Sequence, residues 1–145
     1  MSHQFAQMGS AGERENAARK TVLVVEDEDA LLHVLALILE EEGYRVLTAR
    51  NGWAALDVYR DQGADVIITD FMMPDMGGGE LLGAVHQERP RLPVIVMSSL
   101  EEGIVTRACL GHARFFRKPF DVPEFLNSVA ALATTGGRDH LRLVK

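Results

Sequence analysis

Four groups of residues in this 145-residue chain have the types and settings that chemistry needs: Glu26 with Asp27, Asp70, Ser98, and Lys118. Each follows a short stretch that reads as a strand. Asp70 ends Asp65-Val66-Ile67-Ile68-Thr69, a run dense in β-branched residues that reads as a strand buried on both faces, and Pro74 with glycines 77 to 79 stops it from continuing. Glu26 and Asp27 follow Thr21-Val22-Leu23-Val24-Val25, Ser98 follows Leu92 to Met97, and Lys118 follows Ala113 to Arg117. Taken singly, these groups have bland readings. A strand-end Asp can merely start a turn, and an acidic run such as Glu26-Asp27-Glu28-Asp29 is ordinarily solvated, with Asp29 suited to cap a helix. Gathered in one crevice they mean more. Three carboxylates repel unless protons or a cation settle among them, and an oxygen-only site with room for water suits Mg²⁺. With Lys118 beside them and the Ser98 hydroxyl at hand, Asp70 is set up to attack a phosphoryl group whose spreading charge Mg²⁺ and Lys118 offset.

The elements that must position these groups alternate along the chain. After the first strand, Leu31, Val34, Leu35 and Ile38 repeat on one helical face, and Gly43 stops that helix. Tyr44 to Thr48 is a less hydrophobic strand, hence nearer a sheet edge. Asn51 caps a helix from about Trp53 to Arg60 with Ala55, Leu56 and Tyr59 inward. The lone Trp53 is read as a packing residue or reporter, since no second aromatic accompanies it to make a stacking platform. Helices are expected over 80–87, with Leu81, Leu82 and Val85 inward, and over 100–111, with Ile104, Val105 and Ala108 inward. In the last helix, opened by the capping box Asp121-Val122-Pro123-Glu124, Phe125, Leu126, Val129 and Leu132 face inward, and Gly136 and Gly137 end it. Strand and helix alternate five times with no hairpin, which argues for an α/β fold whose parallel sheet is covered on both faces. In the doubly wound, flavodoxin-like order 2-1-3-4-5, the first and third strands are neighbours whose chains leave toward opposite faces, and the four groups converge at that crevice.

Length and composition fit one globular domain, with 47% hydrophobic and 25% charged residues. We expect a leader over 1–20, the domain over 21–133 and a tail over 134–145. No apolar run reaches a membrane span and no signal pattern opens the chain, so a cytoplasmic setting is expected. The single Cys109 reads as a small buried hydrophobe, and His33, with no second ligand at helical spacing, as a surface residue. A formal charge of −6 without a basic stripe argues against direct nucleic-acid binding.

Over positions 21 to about 133 the chain resembles the receiver domain of two-component response regulators. The likeness rests on Val24-Val25-Glu26-Asp27-Glu28, Asp70 with Met73-Pro74, Ser98, and Lys118-Pro119-Phe120, in the family's order and near its spacing. The resemblance implies that Asp70 is the phosphoacceptor and that Glu26, Asp27, Asp70 and the main-chain carbonyl of Met72 hold Mg²⁺. It implies that Lys118 contacts the phosphoryl group, that Ser98 and Phe115 form a switch pair, and that the Lys118-Pro119 bond is cis. It also implies a phosphohistidine donor on a sensor histidine kinase or histidine phosphotransfer protein, and a downstream protein or homodimer contact through residues 100–133. Such a domain is no enzyme beyond its own phosphorylation and dephosphorylation.

Three departures stand out. Glu26 replaces a more usual Asp, Gly77 replaces a common helix-capping Asp, and the segment 99–117 is slightly short, which bears on the fourth helix and its partner surface. A Mg²⁺-dependent phosphohydrolase would share the nucleophile and lysine, but the most similar enzymes carry a second Asp where Met72 stands. A flavin module would share the topology, yet the loop after the first strand is acidic where a phosphate cradle needs N–H groups. A receiver kept only for docking would be expected to lack one of Asp27, Asp70 or Lys118, and all three are present.

Overall fold

The computed structural model of the chain describes residues 19–108 and 113–144. The leader, apart from its last two residues, and Cys109 lie outside the described residues. Among them, five strands alternate with five helices: β1 (Thr21–Val25), α1 (Asp29–Glu41), β2 (Arg45–Ala49), α2 (Gly52–Gln62), β3 (Val66–Asp70), α3 (Gly78–Glu88), β4 (Val94–Ser98), α4 (Glu102–Ala108), β5 (Arg114–Arg117) and α5 (Val122–Val144). All strand pairs are parallel, in the order β2-β1-β3-β4-β5, the doubly wound arrangement expected.

The period-2 alternation of side chains divides the central strands between two cores. Leu23, Val25, Ile67, Val94 and Val96 point to the face covered by α2, α3 and α4, where they meet Ala55, Leu56, Leu81, Leu82, Val85 and Val105. Val22, Val24, Val66, Ile68, Ile95 and Met97 point to the other face, packed against Leu32, Leu35 and Leu39 of α1 and Phe125, Val129 and Ala133 of α5. The chain therefore leaves β1 toward one face and β3 toward the other. At their carboxyl ends, the two diverging connections open the crevice.

Local signals account for most element ends. Gly43, at φ +97°, follows the α1 C-cap in a conformation that suits glycine. Asn51 Oδ1 accepts the Ala54 N–H at 2.8 Å to open α2, and Asp121 Oδ2 accepts the Glu124 N–H at 2.9 Å to open α5.

Several expectations need correction. The buried stripe of α1 is Leu32, Leu35 and Leu39, while Val34 is 51% exposed and Leu31 and Ile38 are only half-buried. With apolar residues at nearly every position from Ala30 to Leu39, two stripes satisfy the helical period, and helix entry at Asp29, after an uncapped Glu28, selects the other one. Asp29 thus lies inside the first turn instead of capping it. Trp53 is 60% exposed on the first turn of α2 and is not a packing residue. In α4, Val105 is buried but Ile104 is 46% exposed. Helix α5 runs through Gly136 and Gly137 to Val144, because a glycine costs a helix only about 1 kcal/mol and ends it only where the chain takes a left-handed turn.

Candidate functional site

Each site residue is held by the backbone at a strand end. Beyond β1 the Glu26 N–H still donates to Ala49 O at 3.1 Å, extending the ladder by one residue, and the Glu26 side chain turns inward, 2% exposed. Asp27 is exposed. Asp70 is the last residue of β3, 7% exposed, and beyond it the Phe71 N–H donates to Met97 O at 2.8 Å. Beyond β5 the Lys118 N–H donates to Ser98 O at 2.8 Å, and the Lys118–Pro119 peptide is cis. These bonds carry strand geometry one step past each strand, so the side chains at the crevice stand on rigid backbone.

Carboxylate oxygens of Glu26, Asp27 and Asp70 all lie within 4.8 Å of one another. Lys118 Nζ lies 3.0 Å from Asp70 Oδ1 and 3.4 Å from Glu26 Oε1, bracing the two buried members of the trio. Glu26 Oε2 accepts the Glu28 N–H at 3.1 Å. Burial raises the Asp70 carboxyl above its ordinary range; Lys118 opposes the rise and Asp27 adds to it. Burial likewise raises Glu26, with the Glu28 N–H opposing and the Asp70 charge reinforcing. For Lys118, burial favours the neutral amine, but the two carboxylates, Asp70 first, outweigh it and the ammonium is held above its usual value.

The structure thus brings Glu26, Asp27, Asp70 and Lys118 together. Ser98 is buried at the end of β4, the strand next to β3, and its Oγ accepts the Leu100 N–H at 3.0 Å. Phe115 is half-buried on β5 against the core beneath α2, α3 and α4, and Met72 is 63% exposed. Two contributors escaped sequence reasoning. Thr69 Oγ1 donates to Asp70 O at 3.0 Å from a fully buried position, signalled only by a hydroxyl in an otherwise apolar strand. Gly78 is required because a Cβ there would strike the Asp70 carbonyl and Phe71 Cα; the run of three glycines hinted at this close approach. The donors of the trio are all carboxylate oxygens, close enough to share one ion and partly sheltered from water, which is the set a hard divalent cation takes.

Fold and site together define a doubly wound domain carrying a lysine-braced carboxylate centre at its topological switch point. The response regulator receiver domain family matches residues 22–130, and the chain belongs to that family, the phosphoacceptor module of two-component signalling. Among its relatives, the probable transcriptional regulatory protein TcrX of Mycobacterium tuberculosis is 34% identical over 119 residues, 81% of this chain and 51% of that protein. The alkaline phosphatase synthesis transcriptional regulatory protein PhoP of Bacillus subtilis is 31% identical over 78% of this chain and 48% of its own length. The chain spans about half the length of these relatives. Among solved structures, a CheY-like response regulator receiver domain protein from Methanospirillum hungatei superposes with a TM-score of 0.75 at 25% identity, covering 84% of this chain and 99% of that one. The response regulator TrrA of Thermotoga maritima, solved in complex with Mg²⁺-BeF, gives 0.69 at 28% identity over 78% and 98%. No helix among the described residues is long and apolar enough to cross a membrane.

Proposed function

We propose that Asp70 accepts a phosphoryl group from a phosphohistidine on a sensor histidine kinase or histidine phosphotransfer protein, and that the transfer switches a partner-binding surface. The observation that carries this is the Lys118 ammonium 3.0 Å from Asp70 Oδ1 within the carboxylate trio. An Asp70 oxygen attacks phosphorus, the bond from phosphorus to the imidazole nitrogen breaks, and the ring nitrogen keeps the electron pair and takes up a proton. Lys118 already faces the attacking carboxylate, so its charge is in place where the phosphoryl oxygens arrive and costs no reorganisation. Glu26, Asp27, Asp70 and the main-chain carbonyl of Met72 are the groups we assign to hold Mg²⁺. Bound there, it supplies compensation for the charge that the transferring oxygens and the carboxylates share.

Buried Ser98 is the reporter in this reading. Its Oγ, which accepts the Leu100 N–H at 3.0 Å, can donate its own proton to a phosphoryl oxygen, and the half-buried Phe115 ring can follow into the space released. Phe115 has no phenolic hydroxyl, so its inward state gains apolar burial without stranding a polar group. The surface that changes is built from α4, β5 and α5 within residues 100–133, where a downstream protein or a second copy of the chain docks. Incubation with Mg²⁺ and acetyl phosphate, read by intact mass, tests the central step: a single phosphoryl adduct is expected on the wild type and none on Asp70→Asn. An adduct that survives the substitution unchanged would refute it.

A further inference from the structure

The loop that leaves Asp70 is tied at both ends and pinned once in between. At its start the Phe71 N–H donates to Met97 O at 2.8 Å, and at its end the Gly78 N–H donates to Phe71 O at 2.9 Å. Among the described residues, no backbone hydrogen bond ties 72–76 to the rest of the domain. Met72, Pro74 and Asp75 are exposed, Phe71 and Met73 are half-buried, and Met76, 8% exposed, is the only buried residue from 71 to 77. Its side chain joins the core shared by α2 and α3 and lies over Gly52, the first residue of α2. A Cβ on Gly52 would stand 2.5 to 2.7 Å from Met76 Cβ, Cγ and Sδ, well inside contact distance, so glycine is required there for space.

Just before the pin, Asp75 is held at φ +67°, the one non-glycine residue in the left-handed region among those described. A residue with a Cβ keeps that conformation only where its surroundings impose it, and burial of the next side chain over Gly52 is the contact that does so. Glu26 and Asp70 stand on backbone that the strand ladder fixes, whereas the Met72 carbonyl stands on a stretch that no such bond orients. A cation that demands near-ideal octahedral geometry binds less tightly to a ligand it must first order. Resting on the reading that the Met72 main-chain carbonyl joins the carboxylates around Mg²⁺, we infer that Met76 is a positioning residue for that ion: seated over Gly52, it sets the loop so that Met72 presents its carbonyl to the site. The first turn of α2 thereby supports the ion without touching it.

Calorimetric titration of the whole chain with Mg²⁺, below the lowest Tm of the set, tests this with four variants. Met76→Ala removes the pin. Gly52→Ala keeps every loop residue but displaces the pin, and because Met76 Cβ is among the atoms struck, side-chain rotation cannot relieve the contact and the loop backbone must move. Both should weaken Mg²⁺ binding about tenfold, the scale of losing a residue that orients a ligand. Met76→Leu, of similar volume, should bind within about twofold of wild type. Val129→Ala opens a cavity in the core on the other face of the sheet; it should lower Tm yet leave Mg²⁺ affinity within about twofold. Wild-type affinity in Met76→Ala or Gly52→Ala, a loss in Met76→Leu as large as in Met76→Ala, or an equal loss in Val129→Ala would overturn the inference. A wild type that binds no Mg²⁺, or an Asp27→Ala variant that binds it as well as wild type does, would instead defeat the metal assignment itself and the inference with it.

Discussion

Replacing Asp70 with Asn should make the domain more stable at neutral pH in the absence of divalent cations. Asp70 and Glu26 oxygens lie within 4.8 Å, a repulsion of at least about 3.5 kcal/mol at an effective dielectric constant of about 20. Asp27 is exposed, so water cuts its share to about half of that. Against these stands the Lys118 attraction at 3.0 Å, about 5.5 kcal/mol on the same scale. The Coulomb contributions nearly cancel, and burial of the Asp70 charge decides the balance, which is the cause that raises its carboxyl. Asn keeps an oxygen for Lys118 and sheds the buried charge, for a net gain of about 1–2 kcal/mol, or about 3–8 °C in Tm. The pH dependence has a definite sign. A carboxyl raised in the folded state destabilises the fold once it ionises, so the advantage of Asn is full above that raised value and fades as pH falls through it and Asp70 takes its proton. Saturating Mg²⁺ should reverse the order, since a ligand at one hundred times its Kd adds about 2.7 kcal/mol to the state that binds it. Thermal melts of both proteins at neutral and acid pH, with and without Mg²⁺, decide the matter. A metal-free Asp70→Asn that melts at or below wild type at neutral pH would refute the reasoning.

Asp27→Ala should weaken Mg²⁺ binding at least about tenfold by calorimetry, because it removes one of the carboxylates we assign to the ion and part of the attracting field; unchanged affinity would reduce the acidic run to a solvated helix start. Met72→Asn should speed loss of the phosphoryl group severalfold after donor removal, since an amide can orient the hydrolytic water and a thioether cannot; equal decay of label in the two proteins would count against this. Ser98→Ala should still be phosphorylated but should lose the change in hydrogen exchange over residues 100–133; changes confined in wild type to the loops after β1 and β3 would exclude that route. Gly78→Ala should cost about 2–4 kcal/mol in denaturant melts, as its Cβ would press on the Asp70 carbonyl backbone; a loss below about 1 kcal/mol would mean the loop yields freely.

The strands were legible because each central one is a short β-branched or aliphatic run bounded by polar and turn residues, the pattern of a strand buried on both faces. Three of their ends were legible for the same reason: Glu26, Asp70 and Ser98 stand where each buried run gives way, whereas Lys118 follows the already charged Arg117 of β5. Helix faces were harder where hydrophobicity was in surplus. In α1 the apolar positions outnumber those one face can bury, so Val34 and Leu37 stand exposed while Leu32 and Leu39 are covered. At Gly136-Gly137 composition suggested a stop, but a glycine pair permits a left-handed exit without demanding one. Within the site, the convergence on Asp70 followed from topology, whereas the pairing of Lys118 with both buried carboxylates and the clamp of the Glu28 N–H on Glu26 depend on side-chain reach, which no spacing encodes.

The sheet has two open margins, and both carry guanidinium groups. Arg45 is exposed on β2, and on β5 Arg114 lies 5.8 Å over the Phe116 ring while Arg117 Nε donates to Ser99 O at 3.4 Å. Edge strands flanked by bulky cations resist annealing to a like strand, since the charges oppose each other and lose water together. A second copy meeting the β5 side would therefore join it through side chains and the flanking helices, not by splicing the two sheets into one. Association of this kind can separate without breaking backbone pairing, whereas a continuous ten-stranded sheet would have to break a ladder of backbone bonds each time a signal ended.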